Sequence, residues 1–288
     1  MKRIFALSGI LLLLLAGCGT RQDSATIAAT TLPVYEFTLR LCEGTNITVT
    51  RLVTEPVSCL HDYSLNVGQV RAVEAAEAIV ISGAGLEDFM DDILENKSVI
   101  DSSAGIALAE CADDHDHAHD HHHENDSHIW LSPANAKIMA TNICKELCAR
   151  FPQHSATFEA NLVGLLADLD ALQIYGEKTL SQLSCRELVT FHDGFSYFAD
   201  AFDLTILEAV EEESGSEASA QELKRLIGIV REHDLPAIFI ETNGSTSAAG
   251  VIARETGASI GTLDMAMGGE SYFSAMYHNI DTIKEVLG

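Results

Sequence analysis

Five side chains in this sequence can do metal chemistry, and each falls where a chain of alternating strands and helices would present it. His192 directly follows the apolar run 188–191, Glu241 the run 238–240 and Asp264 the run 260–263. His61 comes after a β-branched stretch at 46–53 and a loop, and His128 stands shortly before Ser132-Pro133, a pair suited to opening a helix. Ligands of open α/β sheets collect beyond the carboxyl ends of the strands, so these are the places to look for a site. Three imidazoles and a carboxylate make a complete tetrahedral set for zinc, with bonds of about 2.0 to 2.2 Å. The spacing also allows a plainer reading, in which each histidine is an ordinary hydrogen-bonded side chain, because the five are far apart and no compact motif links them.

A second feature is the run 113–126, where His115, His117, His119, His121, His122 and His123 alternate with acidic residues and no apolar residue is larger than alanine. Such a run cannot bury a core and is expected as a loop. Many weak imidazole sites would suit zinc, copper or nickel better than manganese; a solvated acidic linker is the alternative. His154, His233 and His278 lack partner motifs and are expected at helix ends or on the surface.

Composition narrows the partners. Forty-three acidic against 17 basic residues give a formal charge of −26, which repels nucleic acid and anionic lipid and concentrates cations. The chain opens with Lys2-Arg3 and an apolar stretch to Ala16, a signal peptide over 1–17. The stretch is too short to span a membrane comfortably. Leu15-Ala16-Gly17-Cys18 looks like a bacterial lipobox, which makes Cys18 a lipidation site and 18–24 a tether; ordinary cleavage after small residues is the alternative. Cys42, Cys59, Cys111, Cys144, Cys148 and Cys185 remain. An even count outside the cytoplasm permits disulfides without specifying the pairing. Cys144 and Cys148, four apart on an expected helix, are read as structural rather than as soft ligands.

These residues need a frame to hold them. Strands are expected at 26–30, 46–53, 78–82, 187–191, 204–209, 237–240 and 259–263, and helices at 34–43, 69–77, 86–95, 133–150, 155–183, 195–201, 220–232, 245–255 and from 272 onward. Acidic residues at 211–217 read as a loop. This βαβα alternation implies an α/β fold of two lobes, each a mainly parallel sheet flanked by helices. The lobes are 25–150 and 184–288, joined by one long linker helix within 151–183, whose apolar residues recur at helical spacing from Phe158 to Leu172.

Four segments together resemble the signatures of the cluster A-I zinc/manganese (ZnuA-like) solute-binding proteins: Cys59-Leu60-His61-Asp62-Tyr63-Ser64, Ser127-His128-Ile129-Trp130-Leu131-Ser132-Pro133, Phe191-His192-Asp193-Gly194-Phe195-Ser196-Tyr197-Phe198 and Thr262-Leu263-Asp264. The resemblance implies that His61, His128, His192 and Asp264 bind the ion in an interlobe cleft. Glu241 would stand beside the site and orient a ligand. The histidine loop, typical of zinc members, implies Zn2+ over Mn2+. It further implies a monomeric, extracytoplasmic, lipid-anchored component of an ABC importer, with a permease and its ATPase as partners, no enzymatic step and no nucleic acid. Leu60, Ser127 and Thr242-Asn243 depart from the usual prolines and Pro-Gln pair without removing a ligand. Other readings are a manganese-specific or adhesin-type lipoprotein, and a secreted zinc hydrolase. The last is disfavoured by the want of a His-Glu-x-x-His motif.

Overall fold

A computed structural model describes residues 26–55, 57, 60, 63–109, 125–210 and 219–288. The signal peptide, the tether with Cys18, Cys59, His61, Cys111, the six histidines 115–123 and the acidic stretch 211–217 lie outside the described residues.

The first half runs β1 (Thr26–Ala29), α1 (Leu32–Leu41), β2 (Thr48–Arg51), α2 (Val67–Ala75), β3 (Ala78–Ile81), α3 (Asp91–Leu94), β4 (Val99–Asp101) and α4 (Pro133–Arg150). After α5 (Ser155–Leu180) the second half runs β5 (Glu187–Thr190), α6 (Ser196–Ala201), β6 (Thr205–Ala209), α7 (Ala220–Glu232), β7 (Ala237–Glu241), α8 (Ser247–Thr256), β8 (Ser259–Leu263) and α9 (Tyr272–Leu287). Each half forms a four-stranded parallel sheet, in the orders β2-β1-β3-β4 and β6-β5-β7-β8, so the second half repeats the plan of the first.

Period-2 alternation explains why the central strands are apolar throughout. Ile27 and Ala29 of β1 and Ala78 and Val80 of β3 face the main core, while Ala28 and Ile79 face a small cluster with Leu52, Val73 and Met90. The second sheet does the same: Leu188, Ala237 and Phe239 turn inward, Val189, Ile238 and Ile240 outward against Leu226, Val230 and Ile252. The inward faces of both sheets meet one continuous core that also takes Phe158, Leu165, Leu169 and Leu172 of α5. At 1.5 Å per residue the 26 residues of α5 extend about 39 Å, enough to back both lobes.

Local chemistry sets several boundaries. Ser132 caps α4, its hydroxyl accepting from the Asn135 amide, with Pro133 in the first turn. Ser219 and Glu222 close a reciprocal capping box on α7. Gly257, at φ +82°, ends α8 in the left-handed conformation that favours glycine.

Three expectations need correction. The helix expected at 86–95 is a 3-10 turn at Asp88–Met90 followed by the four-residue α3. There the Glu87 carboxylate turns back to accept from the Ser82 and Gly83 amides, and Asn96 at φ +66° stops the turn. The three-residue β4 was not expected, being too short for an alternation to show. Glu241 is the last residue of β7, paired with Leu263, rather than the residue after the strand.

Candidate metal centre

The lobes meet through the 264–272 segment. The Trp130 indole donates to the Met265 carbonyl at 2.7 Å, and the Tyr272 hydroxyl donates to the Trp130 carbonyl at 2.8 Å. Arg51 donates to the Gly269 carbonyl at 2.7 Å, and the Glu36 carboxylate accepts from the Tyr272 amide at 2.6 Å, capping α9 from the opposite lobe.

Two expected ligands come together across this seam. His128, entering the 3-10 turn Ile129–Leu131, and His192, just beyond β5, bring their Nε2 atoms to 3.4 Å with the rings at 87°. Two nitrogens bound at 2.0 to 2.1 Å to one tetrahedral ion would stand about 3.3 Å apart, so the pair already has the separation an ion needs. It is long for a hydrogen bond between nitrogens. His128 is 5% exposed.

Each ring has a carboxylate behind it. Asp126 Oδ1 lies 2.8 Å from His128 Nδ1 and also accepts from the His128 amide at 2.9 Å. A carboxylate only accepts, so this contact calls for a proton on Nδ1, which in a neutral ring would leave Nε2 unprotonated on the side of His192. Glu241 Oε1 stands 3.7 Å from His192 Nδ1.

Gly194 makes the close approach possible. A Cβ there would come within 2.7 Å of Met265 Cε, 2.8 Å of His192 Cδ2 and 2.9 Å of His128 Cε1. Met265 in turn lines a cavity of about 100 Å³ with Val57, Glu241, Asp264 and Gly269, so the two carboxylates border one cavity whose wall Met265 shares. Asp264 is held by its backbone, its amide and carbonyl bracketed by the Asn279 side chain at 2.7 Å each. Its Oδ1 accepts from the Ala266 amide at 2.7 Å. Among the described residues no three His, Cys, Asp or Glu side chains close into one cluster; His61 lies outside them.

The remaining histidines have structural surroundings. His154 meets Asn46 at 2.8 Å, His233 meets Glu187 at 3.0 Å, and His278 meets the Thr262 carbonyl at 3.2 Å. Cys42, Cys144, Cys148 and Cys185 are free thiols, and burial pushes Cys42 and Cys144 up to about 12.

Asp126, Gly194 and Met265 were not singled out by sequence reasoning. Asp126 was absorbed into the acidic run that ends there; the Asp-x-His spacing of 126–128 was the available signal.

Two parallel α/β lobes backed by one long helix, with a pair of imidazoles meeting at the seam, are the architecture of the two-lobed solute-binding proteins. The chain belongs to the family of the zinc-uptake complex component A, periplasmic (ZnuA), whose family model matches residues 27–286. It is 29% identical to the zinc-binding lipoprotein AdcA of Streptococcus pneumoniae over 99% of this chain and 61% of that one, so it spans about three-fifths of that relative's length. Against the manganese-binding lipoprotein MntA of Halalkalibacterium halodurans it is 27% identical over 95% of this chain and 94% of that one. A crystal structure of ZnuA matches with a TM-score of 0.79 and 33% identity, covering 92% of this chain and all of the other.

Proposed function

We propose that the protein captures a transition-metal ion, zinc, in the interlobe cleft and hands it to a membrane ABC permease driven by its ATPase. No bond is made or broken in this role; the chain is a carrier and the ion its cargo. The observation that carries the reading is the 3.4 Å separation of His128 Nε2 and His192 Nε2, two imidazole nitrogens from opposite lobes. In this reading His61 and Asp264 complete the shell, with Glu241 behind His192. Imidazole nitrogens favour zinc over manganese. The histidine-rich run 113–126 adds weaker sites of the same preference and serves capture rather than tight binding. The names of AdcA and MntA support a divalent transition metal in general. Anchoring through Cys18 would keep the carrier beside its permease.

Chelator-competition titration of the metal-stripped protein with zinc and manganese tests this, run beside His192→Ala and a deletion of 113–126. One tight zinc site that survives the deletion and collapses in His192→Ala is expected. Acidification should weaken it, since protons compete with the ion for imidazole nitrogens. Tighter manganese binding would favour the manganese reading, which the carboxylates Asp264 and Glu241 on the cavity wall would suit. A tight site indifferent to His192 would overturn the cleft altogether.

A further inference from the structure

We propose that Asp126 is a positioning residue for metal capture: it fixes the tautomer and aim of His128, and Tyr197 of the opposite lobe holds Asp126 in place. This rests on the reading of His128 as a ligand. A neutral imidazole can carry its proton on either nitrogen, and only the form with Nε2 unprotonated can bind an ion there. Asp126 Oδ1 selects that form by accepting from Nδ1 at 2.8 Å while also accepting from the His128 amide, so ring and backbone are oriented by one oxygen.

The surroundings point to positioning rather than to fold maintenance. Asp126 is 5% exposed, yet its Oδ2 is buried with no hydrogen-bond partner among the described residues. A carboxylate kept dry with half its accepting capacity idle is an unfavourable way to stabilise a loop. An acceptor behind a ligand histidine, by contrast, holds the ring in the tautomer and orientation that a metal-facing nitrogen needs. The backbone of Asp126 is clasped as well. Its amide donates to the Ala109 carbonyl at 2.9 Å, the Tyr197 hydroxyl donates to its carbonyl at 3.0 Å, and that hydroxyl accepts from the Ala109 amide at 2.9 Å. Tyr197 lies in α6, five residues beyond His192. One short stretch of the second lobe therefore carries one imidazole and braces the backbone of the residue whose carboxylate faces the other.

The test is nitrogen-15 NMR of the histidine rings in the intact metal-free protein, paired with zinc titration, for wild type, Asp126→Ala, Asp126→Asn, Tyr197→Phe and His192→Ala. His128 should be protonated on Nδ1 in the wild type. Asp126→Ala should lose that preference and weaken zinc binding by about 10- to 100-fold, with the circular dichroism spectrum unchanged. Asp126→Asn, whose amide oxygen can still accept from Nδ1, should keep the tautomer and restore part of the affinity, and Tyr197→Phe should show a smaller loss. A wild-type His128 protonated on Nε2, an Asp126→Ala variant with unaltered tautomer and affinity, or an Asn variant as damaged as Ala would each overturn the proposal. His192→Ala separates the two ideas. If it leaves the tight site intact, the ligand reading itself fails; if it abolishes the site while Asp126→Ala is silent, only the role of Asp126 fails.

Discussion

Gly194 sits where three side chains converge, and its missing Cβ is what lets His128 and His192 approach. Met265 could swing away from an added methyl, but neither imidazole could retreat without separating the Nε2 atoms. Gly194→Ala is therefore expected to fold, at a cost of about 1–3 kcal/mol from overpacking, while its zinc affinity falls by at least about tenfold. Titration beside a thermal melt without metal checks this; unchanged affinity would mean that the pair does not need this spacing. At this scale the sequence was legible where residue type and strand ends coincide. His192, Glu241 and Asp264 were singled out because a metal-competent side chain directly follows an apolar run in the sequence. Gly194, Met265 and Tyr197 were illegible because their roles depend on contact between segments tens of residues apart. Asp126 had a local signal, drowned by the acids around it.

Among the elements, those with chemical punctuation were the ones read correctly. The bounds of α4, α7 and β8 coincide with the expected ones; serines at the N-termini of the two helices supply the capping interactions. The β3–α3 connection was misread because a buried carboxylate, not periodicity, organises it. Glu87 accepts from the Ser82 amide at 2.8 Å, the Gly83 amide at 2.9 Å and the Thr30 hydroxyl. Burial outweighs these bonds and pushes its carboxyl up to about 7 from an ordinary 4.5, with the Asp101 charge adding to the rise. Between those values the folded chain holds a proton that the unfolded chain has released. The contribution of Glu87 to stability is thus complete below about pH 4.5 and is lost as pH rises through about 7. Denaturant melts of the metal-free protein should lose stability from pH 5 to pH 8, with a part on the order of 1–3 kcal/mol belonging to Glu87. In Glu87→Gln that part of the slope should vanish, although the variant is less stable overall because its amide NH2 must face the Ser82 or Gly83 N–H. Equal slopes in the two proteins would contradict this account.

For the whole molecule, the alternation of elements revealed two lobes and a linker helix, but not the strand orders or the sharing of one core by both sheets. Strand order depends on which edges pair, and nothing in short parallel strands encodes that locally. The shared core has a thermodynamic result. Ile27 and Val80 of one lobe, Leu165 of α5, and Phe239 and Ile283 of the other belong to a single packed cluster, so neither lobe can open without exposing the other. Calorimetry of the metal-free protein should accordingly show one cooperative transition, shifted as a whole by the ion; two separable transitions would refute the common core. A ligand held at the seam then protects the entire chain, by about 2.7 kcal/mol when present at 100 times its dissociation constant. Empty and ion-bound molecules would then differ in longevity: proteases that act on the opened chain would clear the empty ones first and spare the others.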